Sequence, residues 1–256
     1  MVLTGARDSA ILRTTPHMDI RLFSAKFERE ILHNNFLGLA GVKPFNRLAR
    51  KILDPCPDVM GMASYKKLML MNLIASLLPE DASECYLEVG TFQGKSLVAA
   101  LRNNPGVKAI ACDNFSEFDH SGINQIALER NLQRYGLHER VRFFNMDFRK
   151  LLTNWREQGL PRIGGYFYDG AHDKVSQYDG IKYVEPHLAD RALVVVDDWR
   201  FAEDSRSYAE AGTLQAISES SNNWRILYIL PARFNGDLDQ WWNGLGILGF
   251  ERQTKG

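Results

Sequence analysis

From Glu84 onward the hydrophobic positions follow two alternating rhythms. Short apolar runs bounded by Gly, Asp, Asn or Pro predict seven strands, at about Cys85–Val89, Lys108–Cys112, Val141–Asn145, Gly165–Tyr168, Ala192–Val196, Arg225–Leu230 and Gly246–Glu251. Between them lie helical patterns. Ile123, Ile126, Leu128, Leu132 and Tyr135 share one helix face, with Gly136 as a left-handed stop. Leu151, Leu152 and Trp155 mark a second helix closed by Gly159 and Pro161, and Val175, Tyr178, Ile181 and Val184 a third that Pro186 terminates. This alternation predicts an α/β fold, a Rossmann-like, doubly wound, seven-stranded and mostly parallel sheet. Upstream, Ser64 to Leu78 reads as a helix capped by Ser64 and ended by Pro79; it is apolar nearly all round, so it must be buried. Residues 1–60 read as an N-terminal helical cap, leaving 61–256 as the main domain.

Composition narrows the function. The 256 residues suffice for one large α/β domain with a sizeable core. Lys plus Arg and Asp plus Glu both number 31, so the chain lacks the positive field that non-specific nucleic-acid binding uses, and a small-molecule partner is expected instead. Cys56, Cys85 and Cys112 show no Cys-x-x-Cys spacing and read as reduced core residues of a cytoplasmic protein. Residues 1–23 carry charges and no apolar signal core, and no run reaches the length of a membrane span. Neither nucleic acid nor a membrane is an expected partner, and a homo-oligomer is compatible with the sequence.

The first strand runs into Glu88-Val89-Gly90-Thr91-Phe92-Gln93-Gly94-Lys95-Ser96. Gly90 and Gly94 allow a tight turn and close approach of a ligand, with the next helix's N-terminus open to an anionic group. A tight turn without ligand explains the glycines equally well. Gly-Thr-Phe-Gln-Gly-Lys-Ser imitates a phosphate-binding P-loop, but only three residues separate Gly90 from Gly94 where four are needed. A nicotinamide fingerprint fails too, because it requires glycine at Phe92. Asp113 ends the second strand about twenty residues on, where an adenosine ribose is gripped. Asp147, ending the third, either sits beside the adenine or caps a helix.

The fourth strand ends at Asp169-Gly170-Ala171-His172 and the fifth at Asp197-Asp198. Neighbouring strands would crowd three carboxylates within about 5 Å of one another's backbones, and a hard divalent cation with oxygen ligands relieves the repulsion. Asp197 and Asp198 can both ligate only if the chain turns between them, since consecutive strand residues face opposite ways. The alternative is a solvated turn, with one carboxylate capping a helix and another paired to Arg200 or Arg206. Trp199, Trp241 and Trp242 serve either as acceptor walls or as packing.

Together these motifs make Glu84 to Glu251 resemble the metal-dependent class I S-adenosylmethionine (SAM) O-methyltransferases, of the catechol and macrocin types. In that family the first metal carboxylate is followed 28 and 29 residues later by two more ligands, the intervals separating Asp169 from Asp197 and Asp198. The resemblance implies that residues 61–256 are a class I methyltransferase domain. It implies that Glu88, Gly90, Phe92, Gly94 and Ser96 hold the methionine end of SAM, with Ser96 on its carboxylate, beside Asp113 and Asp147. It also implies Mg²⁺ or Mn²⁺ on Asp169, Asp197 and Asp198. His172 stands where the catechol enzyme has a lysine base and some sugar enzymes a histidine. The implied reaction is methyl transfer to a hydroxyl of a sugar, polyol or catechol-like molecule, with His172 taking the proton. A P-loop-like nucleotide hydrolase and a SAM-binding protein without turnover are the alternatives.

Overall fold

The computed structural model describes residues 18–33, 54–81, 83–119, 122–200 and 207–253. Seven strands form one sheet in the order β3-β2-β1-β4-β5-β7-β6. They are β1 (Glu84–Val89), β2 (Ala109–Cys112), β3 (Val141–Phe144), β4 (Arg162–Tyr168), β5 (Leu188–Asp197), β6 (Asn223–Leu230) and β7 (Leu245–Glu251). All seven fall where the hydrophobic pattern predicts them. β7 runs antiparallel to both neighbours, and the strands from β3 to β5 pair in parallel.

Period-two alternation sorts the side chains between two helical layers. Tyr86, Ala109, Ala111, Phe167, Leu193 and Val195 face one layer. It is built from α1 (Ile20–Phe27), α2 (Tyr65–Ser76), α3 (Lys95–Leu101) and α4 (Ile123–Arg134). Cys85, Leu87, Ile110, Tyr166, Val194 and Val196 face the other, built from α5 (Phe148–Thr153), α6 (Lys174–Val184) and α7 (Tyr208–Ser218). The α7 helix has no counterpart among the predicted elements; its mixed composition shows no clear apolar stripe.

The predicted buried helix is α2. Ser64 caps it by accepting from the Lys67 amide at 3.2 Å, and Leu68, Leu70, Met71 and Ile74 are buried. Of the proposed N-terminal cap, residues 1–17 and 34–53 lie outside the described residues. In the described part, α1 sends Phe23 and Phe27 into the core, where Phe27 meets Tyr228 and Trp241. No helix among the described residues is long and apolar enough to cross a membrane. Cys56, Cys85 and Cys112 are free and buried, as expected.

Candidate active site

The parallel strands all end on one edge of the sheet, and the loops there enclose a cleft. Gly90 turns out of β1 at φ +85°, and its amide donates to Cys112 O at 2.9 Å. A Cβ on Gly90 would stand 1.7 Å from the Asp169 carbonyl oxygen, so the glycine is needed for the backbone of β1 to pass the end of β4. Gly90→Ala combines that collision with a positive φ and is expected to cost at least about 3 kcal/mol, read as a lower urea midpoint.

Asp113 closes the loop from the β2 side. Its Oδ2 accepts from the Phe92 amide at 2.7 Å and its Oδ1 from the Phe115 amide at 2.8 Å, while burial raises its pKa. Gly90, Phe92, Ser96, Asp113 and Asp147 line the cleft. Asp147 does two things, since it also caps α5 by accepting from the Arg149 amide. Gly94, at φ +87°, shapes the turn into α3. Glu88 is fully buried behind the loop; it accepts from Ser96 Oγ at 3.0 Å and Tyr86 OH at 3.3 Å, and burial pushes its pKa up to about 8.

The lysine of the P-loop look-alike has another task. Lys95 donates to Asp54 Oδ2 at 2.8 Å and to the carbonyls of Cys56 and Val59 at 3.0 Å. Three acceptors match its three donors, so it clamps residues 54–59 onto the domain.

On the other side of the cleft, Asp169 follows β4, and its amide donates to Val89 O at 2.8 Å. Asp197 ends β5, and Asp198 adopts φ +57°, so the chain turns between them. That turn sends the two side chains to different partners. Asp198 Oδ2 meets His172 Nε2 at 2.7 Å. Burial works to raise the Asp198 carboxyl, but the His172 bond and charge, helped by Asn243, bring it down to about 2. The same hydrogen bond raises the His172 pKa above its ordinary value. His172 is 40% exposed and lines the cleft.

Asp197 takes the opposite direction, toward α2, where Lys67 forms an ion pair with it and reaches Asp169 Oδ2 at 3.3 Å. Burial opposes the Lys67 charge, but Asp169 and Asp197 outweigh it and hold the ammonium. The Asp197 pKa is raised, by burial first and then by the Asp169 charge. Donor atoms of Asp169, His172 and Asp198 all lie within 4.8 Å of one another, a spacing that suits one cation. The sequence instead grouped Asp169, Asp197 and Asp198 as ligands. Lys67 and Asn243 were missed altogether. For Lys67 a signal existed, a lysine pair in a helix too apolar to be anything but buried, where a charge needs a partner. Trp199 and Trp241 are core residues, Trp199 packing against Gly246 and Trp241 against Phe27.

Residues 87–199, which span the glycine loop and both acidic strand ends, match the family model described as "Methyltransferase domain". That segment is similar to a methyltransferase domain, and it lies within a Rossmann-like, mostly parallel seven-stranded sheet. Solved structures agree on that fold. Cofactor-bound Rv0187 from MTB is 19% identical, with a TM-score of 0.55 over 94% of this chain and 99% of that one. The O-methyltransferase TomG from Streptomyces achromogenes, solved with SAM, is 16% identical with a TM-score of 0.55, covering 91% and 96%. The O-methyltransferase from Bacillus cereus in complex with SAH is 16% identical with a TM-score of 0.53, covering 91% and 97%. No curated protein matches the sequence.

Proposed function

We propose that this methyltransferase domain transfers a methyl group from SAM to a hydroxyl of a small molecule, assisted by a divalent cation. One observation carries the reading: a single cleft is lined both by the Gly90, Phe92, Ser96 and Asp113 group and by Asp169 and His172. Cofactor residues on one wall and proton-handling residues on the other are what an in-line transfer between two bound molecules requires.

Asp113 offers its remaining lone pairs to a ribose, and Asp147 stands on the same wall near the adenine end. Ser96, bonded to Glu88, faces the methionine end. Asp169 and Asp198 would hold Mg²⁺ or Mn²⁺, whose hard-cation chemistry suits carboxylate oxygens. When bound, SAM supplies an electrophilic methyl on a sulfonium, and the cation lowers the pKa of an acceptor hydroxyl. His172 is the general base. It lies on the cleft wall, Asp198 orients its ring, and its pKa range allows it to take the hydroxyl proton as the oxygen attacks. A hydroxyl-bearing acceptor such as a sugar, polyol or catechol-like compound would suit this site, where Asp169 and Asp198 would hold the cation and His172 would take the proton. Buried free cysteines support a cytoplasmic location.

Calorimetry tests the reading. S-adenosylhomocysteine should bind without added metal, and Asp113→Ala should weaken it by roughly 10–100-fold, the effect of losing a charged hydrogen-bond acceptor. Tight ATP binding with no S-adenosylhomocysteine binding would refute the proposal.

A further inference from the structure

The α2 helix carries two lysines in its first turn, and they behave differently. Lys66 turns to Gln240 Oε1 at 3.3 Å and over the Trp241 ring. Lys67 points inward, with 1% of its side chain exposed. Its Nζ forms the ion pair with Asp197, lies 3.3 Å from Asp169 Oδ2, and sits 5.0 Å from the Phe167 ring centroid. Lys67 is also one of the residues that line the cleft.

We infer that Lys67 is a resident cation of the carboxylate cluster, occupying the space between Asp169 and Asp197 and withholding Asp197 from a divalent ion. The inference rests on the metal reading above and gives it a sharper form. A divalent ion bound to Asp197 Oδ2 would need a bond of about 2.1–2.6 Å on an oxygen that the ammonium already covers. The two cations would then repel at close range in a poorly solvated site. Asp198 escapes this competition because the left-handed turn carries its side chain toward His172. The donors left for an ion are therefore the carboxylates of Asp169 and Asp198, whose atoms converge with those of His172 within 4.8 Å; His172 stays free of the ion, as a base must.

The charges agree with this division of labour. The Lys67 ammonium offsets part of the carboxylate charge, and the Asp169 and Asp198 carboxylates remain to attract a divalent ion. Asp197 is only 4% exposed on its side chain: its Oδ2 carries the Lys67 ion pair, and its Oδ1, which has no hydrogen-bond partner, is buried away from solvent. Lys67 is thus a positioning residue. It weakens the ion's hold and makes binding reversible.

Mn²⁺ titration of the full chain, followed by the electron paramagnetic resonance signal of free Mn²⁺, tests the inference. Wild type should bind Mn²⁺, and Asp197→Asn should change its affinity by no more than a few-fold. Lys67→Met should tighten binding by about tenfold or more, as expected when a unit charge is removed from beside the ion. That gain should vanish in the double variant Lys67→Met/Asp197→Asn. Lys67→Gln, which keeps a neutral donor toward both carboxylates, should tighten binding in the same way and serves if the methionine variant does not fold. Wild-type binding that Asp197→Asn abolishes, or neutral Lys67 variants that bind no more tightly, would overturn the inference and leave the metal reading standing. No Mn²⁺ binding by any of these proteins, with S-adenosylhomocysteine binding intact, would remove the metal reading and the inference together.

Discussion

Replacing His172 with alanine is expected to lower kcat by about 10²–10⁴-fold, the usual contribution of a positioned base, with S-adenosylhomocysteine affinity nearly unchanged. The expectation follows from its place at the cleft wall and its 2.7 Å bond to Asp198, which fixes the ring's direction. The pH profile gives the second readout. Asp198 raises the His172 pKa by favouring the charged ring, whereas a base must be neutral. Wild-type kcat should therefore climb as pH rises through that raised value, and the acidic limb should be absent from His172→Ala. A variant that keeps both the rate and the limb would show that the histidine only packs against Asp198, with the cofactor assignment unaffected.

The second large effect concerns the cation. EDTA should abolish turnover and Mg²⁺ or Mn²⁺ should restore it, while Asp169→Asn should lose at least about 10²-fold in kcat at any metal concentration, since several kcal/mol of charge stabilisation disappear. Far-ultraviolet circular dichroism should show no loss of fold on chelation. The reason is internal compensation: Lys67 already neutralises part of the cluster, and His172 is bonded to Asp198. Undiminished turnover in EDTA would argue that Lys67 and His172 alone supply the charge that the reaction needs, and would refute the cation's role.

Several features were legible because their causes are local. A strand buried on both faces is mostly apolar, and β1 is buried at all six positions, with Glu84 and Glu88 as its charged exceptions. Glycine at Gly90 reflects a turn that only a residue without a Cβ can make there. The spacing that argued against a P-loop was also readable, and Lys95, clamped to Asp54 and two carbonyls, gives the structural counterpart. Asp113 and Asp147 were placed correctly on the edge of the sheet, because the end of a strand in a parallel sheet is set by its own apolar run.

What the sequence by itself determined is therefore the succession of elements and the edge on which Asp113, Asp169, Asp197 and Asp198 stand. Tertiary structure alone decided which partner each carboxylate meets. Lys67 and Asp197 are 130 positions apart, and nothing in either neighbourhood encodes their pairing. It arises because α2 packs over the face toward which Asp197 points, while a left-handed residue turns Asp198 the other way, to His172. Periodicity records the direction of a side chain relative to its own strand or helix. It carries no record of which distant charge will be buried opposite, and in a site of low dielectric that opposite charge decides which donors remain for a ligand.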